Sequence, residues 1–245
     1  MNAITLKNVK KVFTDNPGHP LHVLDVINLT IKKGEFFIFL GPSGAGKSTL
    51  LRIISGLEKE FSGSVTFARG INRKDTGFVF QQFALLPWLS VYDNVNLPLL
   101  KSSLTEKARR ERVLMELERF GLEKFRNHKP HELSGGMKQR VGIARALVRK
   151  PKILFMDEAF SELDSFTAED LRQEILAVWQ ELHPTIIMVT HLISEAIELA
   201  DRIAVLTPRP SRIEEVVVNH MPRPRAKRSQ RFFGLEDRLY SLVKP

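Results

Sequence analysis

The sequence predicts an α/β fold interrupted by a helical lobe, and three observations carry that expectation. Short apolar runs bounded by turn residues recur along the chain, and several are apolar at nearly every position. Strands look like this when both faces of a mostly parallel sheet are covered. Amphipathic helical patterns stand between the runs. Between an apolar run near residue 40 and another near residue 155, the stretch 88–149 reads as almost wholly helical, so it is expected to be an insertion into one α/β core.

In chain order, strands are expected at residues 4–9, 36–40, 65–67, 77–80, 153–156, 186–190 and 203–206. The run Phe36-Phe37-Ile38-Phe39-Leu40 has the length of a buried strand. It is far shorter than the roughly 18 apolar residues of a membrane span. Helical patterns follow Gly46, fill 105–120 and 135–149, and run through 166–182. Thr105 suits an N-cap, and Gly121 sits where a left-handed residue closes a helix. Pro151 stops the third helix before the strand at Ile153. Past about Asn219 the periodicity fades into Pro222, Pro224 and a basic run, and 235–243 would form one short amphipathic helix.

Composition narrows the function classes. With 245 residues there is room for one core, or for a core with a smaller lobe. Hydrophobic residues at 43% and charged residues at 27% give the balance of a soluble globular protein. Cysteine is absent, which excludes disulfides and thiolate metal sites. The N-terminus lacks the basic-then-apolar layout of a secretory signal, so a cytoplasmic protein is expected. Of the net charge of +9, a large share comes from Arg223, Arg225, Lys227, Arg228 and Arg231, which fall in one acid-free stretch. Three readings of that stretch stand: a solvated tail, attraction to anionic lipid head groups, or attraction to nucleic acid. No aromatic residue interleaves the run for base stacking, so nucleic acid is not expected as the partner.

Gly41-Pro42-Ser43-Gly44-Ala45-Gly46-Lys47-Ser48-Thr49 matches the P-loop pattern, with a strand before it and a helix after it. Glycines there let the backbone fold into a nest whose N–H groups approach phosphate oxygens. Lys47 would reach the β- and γ-phosphates of ATP, and Ser48 would ligate Mg²⁺. At Ile153-Leu154-Phe155-Met156-Asp157-Glu158, four apolar residues deliver two carboxylates to a strand end, the Walker B pattern. Asp157 would hold the magnesium through water, and Glu158 would polarise or deprotonate the attacking water.

Between these motifs stands Leu133-Ser134-Gly135-Gly136-Met137, and with it the chain resembles the ABC ATPase family, whose signature reads L-S-G-G-[Q or M]. The resemblance covers residues 2–218. It implies a RecA-like P-loop NTPase core with a small antiparallel β subdomain (1–87 and 150–218), a helical subdomain at 88–149, and a basic C-terminal tail at 219–245. It also implies that Ser134, Gly135 and Gly136 bind the γ-phosphate held by the opposite subunit of a head-to-tail homodimer. Gln81 matches the Q-loop glutamine, expected on magnesium and the attacking water. His191, after the run Ile186-Ile187-Met188-Val189-Thr190, matches the switch histidine on the γ-phosphate, against the alternative of a core histidine. Ser161-Glu162-Leu163-Asp164 matches the D-loop, usually Ser-Ala-Leu-Asp, so Glu162 is a departure and Asp164 the matching residue. Phe13 stands where an aromatic stacks on adenine, or else it is a core phenylalanine.

Leu85-Leu86-Pro87-Trp88 after the Q-loop and Met137 in the signature are similar to ATPases of nitrate, sulfonate and taurine importers. That branch implies permease partners, an external solute-binding protein and a seat on the cytoplasmic side of the membrane. Trp88 is then either a buried or half-buried anchor of the helical lobe or a permease contact. The rival function is a soluble ABC ATPase acting on nucleic acid or ribosomes, and the basic run is the one feature in its favour.

Overall fold

The structure is a computed structural model that describes residues 1–14 and 19–243. Its elements in chain order are β1 (Asn2–Phe13), β2 (Leu21–Lys32), β3 (Phe36–Leu40), α1 (Lys47–Ser55), β4 (Ser62–Phe67), β5 (Thr76–Val79), α2 (Val91–Asn96), α3 (Glu106–Arg119), α4 (Gly135–Leu147), β6 (Ile153–Asp157), α5 (Ser165–Leu182), β7 (Thr185–Thr190), α6 (Ile193–Leu199), β8 (Arg202–Leu206), β9 (Ile213–Val218) and α7 (Gln230–Val243). The chain divides into two compact units, residues 1–74 with 185–245, and residues 75–184. Among the described residues no helix is long and apolar enough to cross a membrane.

In the first unit, β3 lies between β7 and β8 in parallel, and β9 joins β8 antiparallel. Every residue of β3 and β7 is buried, as their unbroken apolar runs require. A separate antiparallel sheet has the order β2-β1-β4. The expected strand at 4–9 extends to both sides, and β2 was not expected at all. Its alternation is broken where Val26 takes a φ of 46°, so Val23 and Leu24 are both buried ahead of Ile27, Leu29 and Ile31. β1 carries a matching irregularity at Asn8 (φ 52°), whose amide N–H donates to Asn28 Oδ1 at 2.8 Å. A Cβ on Gly63 of β4 would stand 2.3 Å from the Asn8 carbonyl oxygen, so that position admits only glycine.

In the second unit, β5 and β6 pair in parallel beside α4, and α4 packs on α2, α3 and α5. Thr105 caps α3 by accepting from Ala108 N at 3.3 Å, and Gly121 closes it with a φ of 66°. Glu116 is 1% exposed, with Arg119 Nε 3.4 Å from it. Burial raises its pKa, and Arg119 only partly offsets that.

The basic stretch after Asn219 is largely pinned. Arg225, 8% exposed, donates to the carbonyls of Ile197 and Glu198 at the end of α6. Arg223 donates to Asp201 Oδ1 at 2.6 Å and to the Leu199 carbonyl at 2.5 Å. A solvated reading therefore fails for these two arginines. Burial lowers the Arg225 pKa to about 10, which leaves it charged at neutral pH. α7 starts earlier than expected, at Gln230, and seats Phe232 and Leu239 inward.

Candidate functional site

The first unit carries the glycine loop. Leu40 pairs with Thr190 across β3 and β7, so Gly41 and His191 leave adjacent parallel strands at the same edge. Ligands of open α/β sheets bind at the carboxyl ends of the strands. Gly44 and Gly46 have φ values of 76° and 87°, a handedness that other residues adopt only with strain. A Cβ on Gly46 would also stand 2.6 Å from Val23 Cγ1. Gly46 is the N-cap of α1 and supplies no side-chain cap, as at helix N-termini that receive anions. Lys47 is 4% exposed, and its Nζ donates to the Pro42 carbonyl at 3.0 Å, folded over the loop. Pro42, Ser48 and Thr49 are half-buried, Ala45 is buried, and Ser43 is exposed. His191 is exposed, so it is not a core histidine. Phe13, half-buried at the end of β1, is not a core residue either; the Lys11 ammonium stands 4.4 Å from its ring centroid.

The second unit holds the remaining candidates. Val79 pairs with Met156 across β5 and β6, so the chain leading to Gln81 and the pair Asp157-Glu158 also leave one edge together. Asp157 is 2% exposed. Glu158 is held at a φ of 44°, and its carbonyl accepts from Ser161 N at 3.2 Å and Ser161 Oγ at 2.9 Å. A left-handed non-glycine residue at a strand end marks a place where local strain is tolerated to aim a side chain.

The loop at Ser134 is built differently. Ser134 caps α4, its Oγ accepting from Met137 N at 3.3 Å. A Cβ on Gly136 would meet Thr167 Cγ2 at 2.4 Å, and one on Gly135 would stand 4.0 Å from both the Glu162 carbonyl oxygen and Leu163 Cδ2. The segment from Ser161 to Asp164 thus runs alongside the signature. Asp164 caps α5, accepting from Thr167 N at 3.1 Å, and that backbone N–H holds its carboxyl below the usual range. Gly136 thus serves a close approach, whereas Gly44 and Gly46 of the first loop serve a backbone turn.

Three residues escaped the sequence reading. Gln139, fully buried on α4, donates from Nε2 to the Ala159 carbonyl at 2.6 Å and so ties the signature helix to the loop after Glu158. Arg145 donates to the carbonyls of Phe83 and Ala84 at 2.9 and 2.6 Å. Those two residues hold φ values of 54° and 48°, so the arginine steadies a strained turn just past Gln81. Arg209 Nη2 comes within 3.8 Å of a Cβ position on Gly44. A polar residue in the otherwise apolar stripe of α4 was the only signal in the sequence, and it pointed to Gln139 alone.

The turn before α2 carries Trp88, which is 67% exposed and so is not a buried anchor. Its backbone is fixed: Lys129 Nζ donates to the Trp88 carbonyl at 2.7 Å. Asn94, fully buried, accepts from Leu86 N and donates to the carbonyls of Leu86, Leu89 and Ser90.

The sequence profile of the ABC transporter family matches residues 24–161, more than half of the chain. The chain belongs to the ABC transporter family. It is 41% identical to the aliphatic sulfonates import ATP-binding protein of Bacillus cereus over 233 residues, which are 94% of this chain and 91% of that protein. It is 42% identical to the bicarbonate transport ATP-binding protein of Synechococcus elongatus over 228 residues, 91% of this chain and 82% of that one. Among solved structures, this ABC protein is similar to an ATP-binding cassette in a dimeric post-hydrolysis state with ADP and Pi, with a TM-score of 0.78 and 37% identity over 89% of this chain and 100% of that chain.

Proposed function

We propose that this ABC protein is the ATP-hydrolysing subunit of an importer for a small anionic solute of the nitrate, sulfonate, taurine or bicarbonate kind. The observation that carries the reading is the identity of 41–42% to ATP-binding proteins of sulfonate import and bicarbonate transport along more than nine-tenths of the chain. The intact motifs support hydrolysis rather than a purely regulatory cassette.

The backbone amides of residues 41–46 and the Lys47 ammonium would hold the phosphates of ATP, with Phe13 against the adenine. A hydroxyl at Ser48, an amide oxygen at Gln81 and a buried carboxylate at Asp157 are hard oxygen donors, and Mg²⁺ takes one or two protein oxygens plus phosphate oxygens and water. Ser48 and Gln81 would supply direct oxygens, and Asp157 would hold the ion through water. Magnesium, when bound, would neutralise charge on the β- and γ-phosphates. Glu158 would orient and deprotonate the attacking water, and His191 would hydrogen-bond the γ-phosphate. The amides and hydroxyl of Ser134, Gly135 and Gly136 would come from a second copy, aligned by Asp164, in a head-to-tail dimer. A solved relative that is itself dimeric supports pairing. Loss of the γ-phosphate would remove the ligand that favours the closed pair.

The permease would dock against the helical lobe on the cytoplasmic face, with Trp88 as one contact, in an importer fed by a solute-binding protein. Of the basic run, Arg228 and Arg231 remain exposed, and contact with anionic lipid would fall to them. The deciding experiment is copurification from native membranes followed by ATPase assays of the complex with candidate oxyanions. A copurifying permease with anion-stimulated hydrolysis is expected. Salt-sensitive binding to duplex DNA or ribosomal RNA with no permease would overturn the reading in favour of a nucleic-acid ATPase. Within the complex, Trp88→Ala should lower stimulated hydrolysis several-fold while unstimulated hydrolysis holds.

A further inference from the structure

Two charged residues stand beside the two glycine loops, and the proposed chemistry uses neither. Arg209 is exposed on the turn between β8 and β9, with its Nη2 3.8 Å from a Cβ position on Gly44. The turn is well fixed: Thr207 N donates to the Arg212 carbonyl at 3.0 Å, Arg212 N to Thr207 Oγ1 at 3.0 Å, and the fully buried Ser211 donates from Oγ to the Thr207 carbonyl at 2.7 Å. Glu162 is exposed beside the other loop, its carbonyl oxygen 4.0 Å from a Cβ position on Gly135. Its turn is fixed by Ser161, which bonds the Glu158 carbonyl, and by Leu163 N, which donates to the Phe160 carbonyl at 3.3 Å. Among the described residues neither the Arg209 guanidinium nor the Glu162 carboxylate has a hydrogen-bond or ion-pair partner.

A carboxylate carried by the segment beside a loop that receives a phosphate is a liability, since like charges repel. The liability disappears if a cation arrives with the phosphate. The β3–α1 loop would bring the phosphate, and Arg209 is the cation on its rim. We propose that Arg209 of each copy pairs with Glu162 of the other across the nucleotide, making two equivalent ion pairs in the closed dimer. The inference rests on the head-to-tail reading above: when the loop at Gly44 faces the loop at Gly135 of a second copy, the rims face each other too. The occupant of this surface is therefore a second copy of the same chain. Phe166, 84% exposed two residues past Asp164, lies in the same segment and would be covered in the same event. The pair also gives Glu162, the departure from Ser-Ala-Leu-Asp, a role in selecting like partners.

The test uses full-length chains carrying Glu158→Gln, with ATP and magnesium, and reads the dimer dissociation constant by sedimentation. Arg209→Glu alone and Glu162→Arg alone each place two like-charge contacts in a homodimer, and each should weaken dimerisation about 10-fold or more at low salt. An equimolar mixture of the two single variants should form mixed dimers of near-parental affinity, because in a mixed pair both contacts are again between opposite charges. The double variant should likewise recover. Raising salt should shrink every difference. ATP binding to the monomer should be the same in all variants. If the single variants lose affinity and mixing does not restore it, the two residues do not meet across the seam and the proposal is overturned. A loss of monomer ATP affinity in Arg209→Glu would overturn it too, by making Arg209 a nucleotide contact. If the parent chain shows no ATP-dependent dimer, the head-to-tail reading itself falls, a result distinct from the others.

Discussion

The loop from Gly41 to Gly46 and the loop from Ser134 to Gly136 both open helices, yet they reserve their amides in opposite ways. At α1 the N-cap is a glycine with no side-chain bond, and the turn is set by left-handed glycines at 44 and 46. At α4 a serine hydroxyl already occupies one amide, and the constraint on Gly136 comes from a neighbour, Thr167 on α5. The first loop is shaped at Gly44 and Gly46 by its own backbone, so no change elsewhere can compensate for losing either of them. The second is shaped by packing, so its tolerance depends on what stands opposite.

Four substitutions test whether the two loops differ in this way. The largest effect belongs to Glu158→Gln, which should lower hydrolysis about 10²–10⁴-fold while ATP affinity holds, measured by turnover and equilibrium binding. Hydrolysis at the parental rate would remove Glu158 from the chemistry, and with it the need for either loop to serve catalysis. Gly46→Ala comes next. A left-handed alanine costs about 1–2 kcal/mol, and overpacking adds about 1–3 kcal/mol. ATP binding should be lost, and a second change of Val23→Ala should fail to restore it because the backbone strain persists. Gly136→Ala should destabilise the chain by about 1–3 kcal/mol in thermal unfolding, through overpacking alone. Here Thr167→Ser, which removes the offending methyl group, should restore most of the stability. If the serine rescues nothing, the account of the second loop as packing-limited is wrong.

The smallest effect lies outside both loops and sets a baseline. The pKa of Glu116 is raised because burial penalises its charge. A raised value in the folded state means that its contribution to stability is fully present below the ordinary carboxylate range and is lost as pH rises through the raised value. Glu116→Gln should therefore gain about 1 kcal/mol near pH 8 in denaturant unfolding and little near pH 4. Arg119 keeps a partner in that variant, since both its terminal nitrogens bond Glu181.

Much of this was legible in the sequence where a local rule decides the outcome. The strand at 36–40 and the caps at Thr105 and Gly121 follow from apolar runs and backbone preferences that neighbours do not override. β2 was hidden because Val26 shifts the alternation by one residue, and β9 because Glu214 and Glu215 interrupt an edge strand. α2 and α6 are too short to show a helical period. For the site, the motif residues are visible because nucleotide chemistry demands particular side chains in a particular order. Arg145 is not, and Gln139 shows only as a polar residue in an apolar stripe, because each bonds a carbonyl that a distant segment delivers and no spacing announces that meeting. Arg223 and Arg225 misled for the same reason, since a run of cations looks identical whether it meets water or the end of α6.

The buried amide of Asn94 has a thermodynamic consequence for assembly. It grips the turn from Leu86 to Ser90 at four points, so the platform under Trp88 is ordered as soon as the lobe folds. Fixing a residue's backbone costs about 1–2 kcal/mol of entropy at room temperature, and here that cost falls on folding rather than on docking. A partner that lands on the indole meets a surface already frozen in shape, and the heat of its binding should carry little signature of induced order.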